Sequence, residues 1–104
     1  MSLDIYLTAV IETEVVSKNI THNVSGMWTE AGIYNSLYNS AGKRAKEVLP
    51  NLEVGLALMK AYPERFKKHS AKNGWGTYEQ AVPWLEDLIE QFWKYPDGKI
   101  DVSK

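Results

Sequence analysis

The sequence predicts an α+β fold: a mostly helical domain with a small sheet formed by the N- and C-terminal strands. Three observations carry this reading. Leu3, Ile5, Leu7, Ala9 and Ile11 alternate with Asp4, Tyr6, Thr8, Val10 and Glu12 at the period of two that marks a half-buried strand. Apolar residues then recur at three-to-four spacing through several longer segments. After the turn signal Pro96-Asp97-Gly98, Ile100 and Val102 alternate again. A chain of 104 residues makes one domain, residues 1–104, because two independent cores would each be too small. Its expected radius of gyration is about 13 Å.

The first strand is read over residues 3–16, with Glu12, Thr13 and Glu14 as its wet end. A helix is predicted over residues 21–38 from Ile20, Val24, Met27, Ala31, Tyr34 and Leu37, capped by Asn19 or Thr21. Gly26 and Gly32 lie inside it at about 1 kcal/mol each relative to Ala, which points to a break near Gly32 or a close backbone neighbour. Residues 39–42 read as a loop. Residues 43–61 form the next helical segment, with Val48, Leu49, Leu52, Leu56 and Met59 inward. Pro50 donates no amide, so it either kinks this helix or opens a second one. Pro63 to Lys68 makes one more turn, and residues 69–76 form a glycine-containing loop.

Thr77 with Gln80 three residues on reads as a capping box. The helix it starts runs to about Tyr95, with a small distortion at Pro83. Val82, Leu85, Ile89 and Phe92 form its stripe, widened by Ala81, Trp84 and Leu88. A two-stranded ribbon alone is marginal in water, so the terminal strands must pack on the helices or also pair across a dimer.

Composition narrows the function classes. The net charge of −1 disfavours nucleic acid as a partner, since sequence-independent binding needs a basic surface. Lys43, Arg44 and Lys46, and Arg65, Lys67, Lys68 and Lys72, read as solvated faces. The absence of cysteine excludes disulfides, thiolate metal sites and Cys nucleophiles, and fits a reducing cytoplasm. No run reaches the 18 or so apolar residues of a membrane span, and Met-Ser-Leu-Asp is not a basic signal-peptide start, so no membrane partner is expected. The sequons at Asn19 and Asn23 read as chance matches. Four Trp, six Tyr and two Phe exceed what a small core needs, which implies a buried surface in a homo-oligomer.

Two stretches carry possible chemistry. Asn19, Thr21, His22 and Asn23 crowd donors and acceptors at a helix start, where free amides and the dipole attract anions and His22 adds a switchable donor. Asn73-Gly74-Trp75-Gly76-Thr77-Tyr78-Glu79 repeats the theme at a second helix start. Glycines on either side display Trp75, either as a ligand platform or as a plug on the end of the core. If the two helix starts share a cleft, Trp75 and Tyr78 would stack on a base and the amides would hold phosphate. The bland alternative at the first stretch is plain capping, with His22 bonded locally.

Other chemistries are weaker. His22 and His69 stand on separate elements without HxxxH or HExxH spacing, so no metal is expected. His22 and Ser25 share a helix face, but nothing completes a triad. Glu86, Asp87 and Glu90, like Glu53, Glu64 and Glu79, read as a solvated face rather than paired catalytic carboxylates. There is no GxGxxG and no P-loop, and no cofactor is expected.

Taken together, Leu3-Asp4-Ile5-Tyr6-Leu7-Thr8, Asn19-Ile20-Thr21-His22-Asn23, Ala31-Gly32-Ile33-Tyr34 with Leu37-Tyr38, Pro63-Glu64-Arg65-Phe66, Asn73 to Glu79 and Tyr95-Pro96-Asp97 span nearly the whole chain. They resemble a family of small bacteriophage and prophage proteins with no established activity. Members often carry an Arg-Pro segment after the aromatic that Tyr38 occupies; here Asn39-Ser40-Ala41-Gly42 stands instead. The resemblance implies a phage accessory protein in the cytoplasm of the bacterial host. The leading expectation is a non-catalytic binder of a small, phosphate-bearing, nucleotide-like ligand, which sequesters a signal of host immunity. Its candidate binding residues are Asn19, Thr21, His22, Asn23, Asn73, Trp75 and Tyr78. The alternatives are an inhibitor of a host bacterial enzyme that docks through an aromatic surface, and a small enzyme with His22 as acid or base.

Overall fold

Alternation at the start of the chain gives the central strand of an antiparallel sheet. The computed structural model describes residues 2–8 and 14–104; Ala9, Val10, Ile11, Glu12 and Thr13 lie outside the described residues. Strand β1 is Ser2–Thr8, β2 is Glu14–Thr21 and β3 is Lys99–Ser103, in the order β2-β1-β3. Leu3, Ile5 and Leu7 are buried, as period two requires. They pair with Ile20, Lys18 and Val16 of β2, and Ile5 and Leu7 pair with Val102 and Ile100 of β3. The outer edge of β3 is tied off by the loop at Gly42 and Lys43: Gly42 donates to the Ile100 carbonyl at 2.9 Å and Ile100 donates to that of Lys43 at 2.8 Å. Covering an edge in this way removes a template for unwanted pairing.

The α+β class and the sheet of terminal strands are therefore as the sequence predicts, but the first half of the chain needs correction. The reading of one strand over 3–16 is replaced by β1 and β2, and Asn19 sits in β2 rather than at a helix cap. The inward face of β2 reads Val16, Lys18, Ile20, and the Lys at its centre hides the alternation. That Lys buries its stem and extends its ammonium to Asp87 Oδ2 at 2.6 Å on the last helix.

The predicted helix over 21–38 is three pieces: a 3₁₀ turn His22–Val24, α1 Ser25–Glu30 and α2 Tyr34–Tyr38. Helix α1 ends in a Schellman motif, with Gly32 donating to the Thr29 carbonyl at 3.1 Å and Ile33 to that of Trp28 at 2.9 Å. Gly32 sits at φ 76°, which explains the glycine and the break together.

Helix α3, Ala45–Ala61, passes through Pro50 unbroken, so Pro50 lies inside one helix. Helix α4 is Pro63–Lys67, and α5, Tyr78–Lys94, continues through Pro83. Both prolines are the sixth helical residue and sit on the solvent side or close to it, where the carbonyl left without an amide partner meets water. Helices α3 and α5 run in opposite directions, since Lys60 near the end of α3 bridges Glu86 at 2.6 Å while Lys46 near its start bridges Asp97 at 2.7 Å.

The core lies between sheet and helices, with Trp28, Phe66, Phe92, Leu3, Ile5 and Leu7 among its largest fully buried side chains. The radius of gyration is 13.1 Å. No helix among the described residues is long and apolar enough to cross a membrane.

Candidate functional site

The end of β2 and the loop before α5 face each other across a cleft of about 550 Å³. One wall is Ser2, Asn19, Ile20 and Thr21; the other is Trp75, Gly76, Gln80 and Trp84. Strand pairing sets the first wall, because Ser2 lies opposite Thr21 at the end of the β1–β2 ladder. Asn19 Nδ2 donates to Ser2 Oγ at 2.9 Å and to Asp4 Oδ1 at 2.5 Å, which fixes the amide plane.

The second wall depends on Gly76. It sits at φ 100°, and a Cβ there would stand 2.9 Å from Asn23 Cβ and 3.0 Å from Thr21 Cγ2. The loop backbone thus lies directly on the Thr21–Asn23 junction, and only glycine permits it. Three side-chain amides hold the loop in place. Asn23 Nδ2 donates to the Trp75 carbonyl at 2.9 Å, and Trp75 N donates to Asn73 Oδ1 at 3.0 Å. Gln80 Oε1 accepts from Gly76 N at 2.8 Å and from Thr77 N at 3.1 Å. The capping box predicted at Thr77 and Gln80 is present.

The two polar stretches of the sequence do meet, but their residues divide. Asn19, Thr21 and Trp75 line the cleft, and Asn23 and Asn73 brace the loop behind Trp75. Trp75 itself is 71% exposed, so the reading of it as a plug on the core fails. His22 and Tyr78 do not line the cleft. His22 Nδ1 lies 2.9 Å from Tyr38 Oη with the rings stacked, and Tyr38 in turn stacks on Tyr34 at 4.3 Å between centroids. Burial, reinforced by Tyr34, pushes the Tyr38 hydroxyl up to about 12. Tyr78 is half-buried and donates its hydroxyl to the Met59 carbonyl at 2.9 Å, so it joins α5 to α3.

Sequence reasoning missed Ser2 and treated Gln80 only as a cap and Trp84 only as core. Trp84 is half-buried and donates Nε1 to the Asn19 carbonyl at 2.9 Å, which joins the two walls. Its ring packs on buried Trp28 at 5.7 Å, and Lys18 Nζ lies 5.6 Å from its centroid. Trp75 and Trp84, nine residues apart and on either side of the α5 start, were the available signal.

Two carboxylates of α5, Glu86 and Asp87, take structural partners. Lys18 holds the Asp87 carboxyl below its ordinary pKa, chiefly by hydrogen bonding, and Glu86 pairs with Lys60. His69 Nε2 lies 3.3 Å from Glu30 Oε1, while Arg65 holds the other oxygen at 2.9 Å. No group of three His, Asp or Glu converges among the described residues. A second cleft of about 580 Å³ lies between β3 and the Ala41–Gly42 loop, lined by Thr8, Lys99, Ile100 and Asp101, with no aromatic ring.

Comparison with protein-family models, curated proteins and solved structures gave no match. Function is therefore read from the cleft.

Proposed function

We propose that this protein is a non-catalytic binder of a small, nucleotide-like ligand, held between the Asn19–Thr21 wall and the Trp75 loop. The observation that carries the reading is Trp75. A large apolar ring left 71% exposed is unfavourable for folding alone, yet the backbone on both sides of it is held by Asn23, Asn73 and Gln80. A ring fixed at the mouth of a cleft loses little freedom when a planar ligand stacks on it. The phage and prophage resemblance supports an accessory protein in the bacterial cytoplasm, which sequesters a nucleotide signal of host immunity and so blunts defence.

The test is Trp75→Ala. Stacking on an aromatic contributes about 1–3 kcal/mol per base, so affinity should fall about 5- to 150-fold while the circular dichroism spectrum and melting temperature stay unchanged. Native mass spectrometry of gently purified protein reads ligand mass and oligomeric state together. A variant that keeps full affinity for the retained ligand removes Trp75 from the site.

A second reading draws on a different residue. Trp93, near the end of α5, is 57% exposed outside the cleft, which favours docking of a host enzyme or of a second copy of the chain at that ring. Trp93→Ala would then disrupt the complex or the oligomer and leave ligand binding intact.

A further inference from the structure

We infer that the cleft recognises the uncharged ring of its ligand, a nucleobase or nucleoside, and leaves any phosphate in solvent. This rests on the ligand reading above and departs from the expectation that helix-start amides hold phosphate.

The donors that would bind an anion are already occupied. Gly76 and Thr77 amides both donate to Gln80 Oε1, the Tyr78 amide donates to Ser70 Oγ at 2.9 Å, and the Trp75 amide donates to Asn73 Oδ1. Gln80 Nε2 is also used, on the Gly74 carbonyl at 3.2 Å. A phosphate entering here would have to displace the side chain that shapes the loop, and each amide it frees offsets a bond it breaks.

Charge points the same way. None of the residues lining the cleft is Lys or Arg. The nearby cation, Lys18, is held by Asp87 at 2.6 Å. Asp4 stands behind Asn19 at 2.5 Å, and Glu79 lies in the first turn of α5. A dianion would find no Lys or Arg on the cleft walls to pair with.

What remains is suited to a neutral heterocycle. With Nδ2 committed to Ser2 and Asp4, Asn19 presents Oδ1 as a fixed acceptor for a ring N–H or exocyclic amine. Thr21 Oγ1 accepts from Asn23 N at 3.3 Å and Ser2 Oγ accepts from Asn19, so both hydroxyl hydrogens are left to donate to ring nitrogens or carbonyls. Trp75 supplies the stacking face. One acceptor, two donors and an aromatic plane match a base edge.

The experiment is isothermal titration of the intact protein with adenosine, guanosine, cytidine and uridine and with their 5′-monophosphates, each at low and high salt. The expected result is that the preferred nucleoside binds within about threefold of its monophosphate. The affinity of both should be unchanged by salt, because no ion pair forms. Thr21→Val should weaken both about three- to tenfold, the loss of one hydrogen bond. A monophosphate that binds more than about tenfold tighter than its nucleoside, with the advantage lost in high salt, overturns this inference and leaves the ligand reading standing. Binding of none of the eight compounds overturns both.

Discussion

Gly76 is the residue on which the candidate site turns. Its positive φ and the contacts waiting at 2.9–3.1 Å from a Cβ act in the same direction. Gly76→Ala combines backbone strain of about 1–3 kcal/mol with displacement of Asn23 and Thr21. Urea unfolding should show a loss of about 2 kcal/mol or more, and the ligand affinity should fall with it. Trp75→Ala, one residue away, should leave the unfolding midpoint almost unmoved, since the ring is mostly in solvent. The pair separates a residue that builds the cleft from one that faces into it. Equal stability losses for both would mean that the loop is not held as described.

At the scale of elements, the close passage of α3 over the α1–α2 turn makes a counterintuitive prediction. Gly55 lies inside α3, where replacement by Ala ordinarily gains about 1 kcal/mol. Here a Cβ would stand 2.3 Å from Ile33 Cγ2, and Ile33 is a fully buried, β-branched residue that closes the Schellman motif. Overpacking of this kind costs about 1–3 kcal/mol and the stiff Ile side chain cannot swing aside, so the cost outweighs the gain. Gly55→Ala should lower the melting temperature, and Gly55→Ala with Ile33→Ala should recover part of the loss relative to Ile33→Ala alone. Stabilisation by Gly55→Ala would show that α3 sits farther from the turn. Sequence analysis finds no reason for glycine at Gly55, because the need for it comes from a neighbour 22 positions away.

For the molecule as a whole, the buried Tyr38 hydroxyl couples folding to alkaline pH. Its value in the fold is raised to about 12 from the ordinary 10. The folded state therefore keeps this proton after the unfolded state has begun to release it. The stabilisation is complete below pH 10 and is lost as pH rises from 10 toward 12, by about 2–3 kcal/mol. Denaturant unfolding across this window should show a slope that Tyr38→Phe flattens, although that variant starts from lower stability because His22 loses its partner. An unchanged slope in Tyr38→Phe would assign the alkaline loss to other groups.

Local pattern was enough wherever a segment's partners are apolar or lie within a turn of it. Alternation located β1 and β3, helical spacing located α3 and α5, and the Thr77–Gln80 capping box set the start of α5 within the chain's own immediate neighbourhood. The crowding of polar residues at Asn19–Asn23 and the glycines around Trp75 likewise marked both sides of the cleft. Only the tertiary structure decided the rest. Strand β2 depends on Lys18 reaching Asp87, 69 residues on, and an inward Lys reads as polar until that partner is in place. The division of the seven candidate residues also depends on contacts between separate elements: Asn23 with Trp75, His22 with Tyr38, Tyr78 with Met59. Period and composition report which residues leave water, but not which distant group receives each hydrogen bond, because that choice is made by how the elements pack.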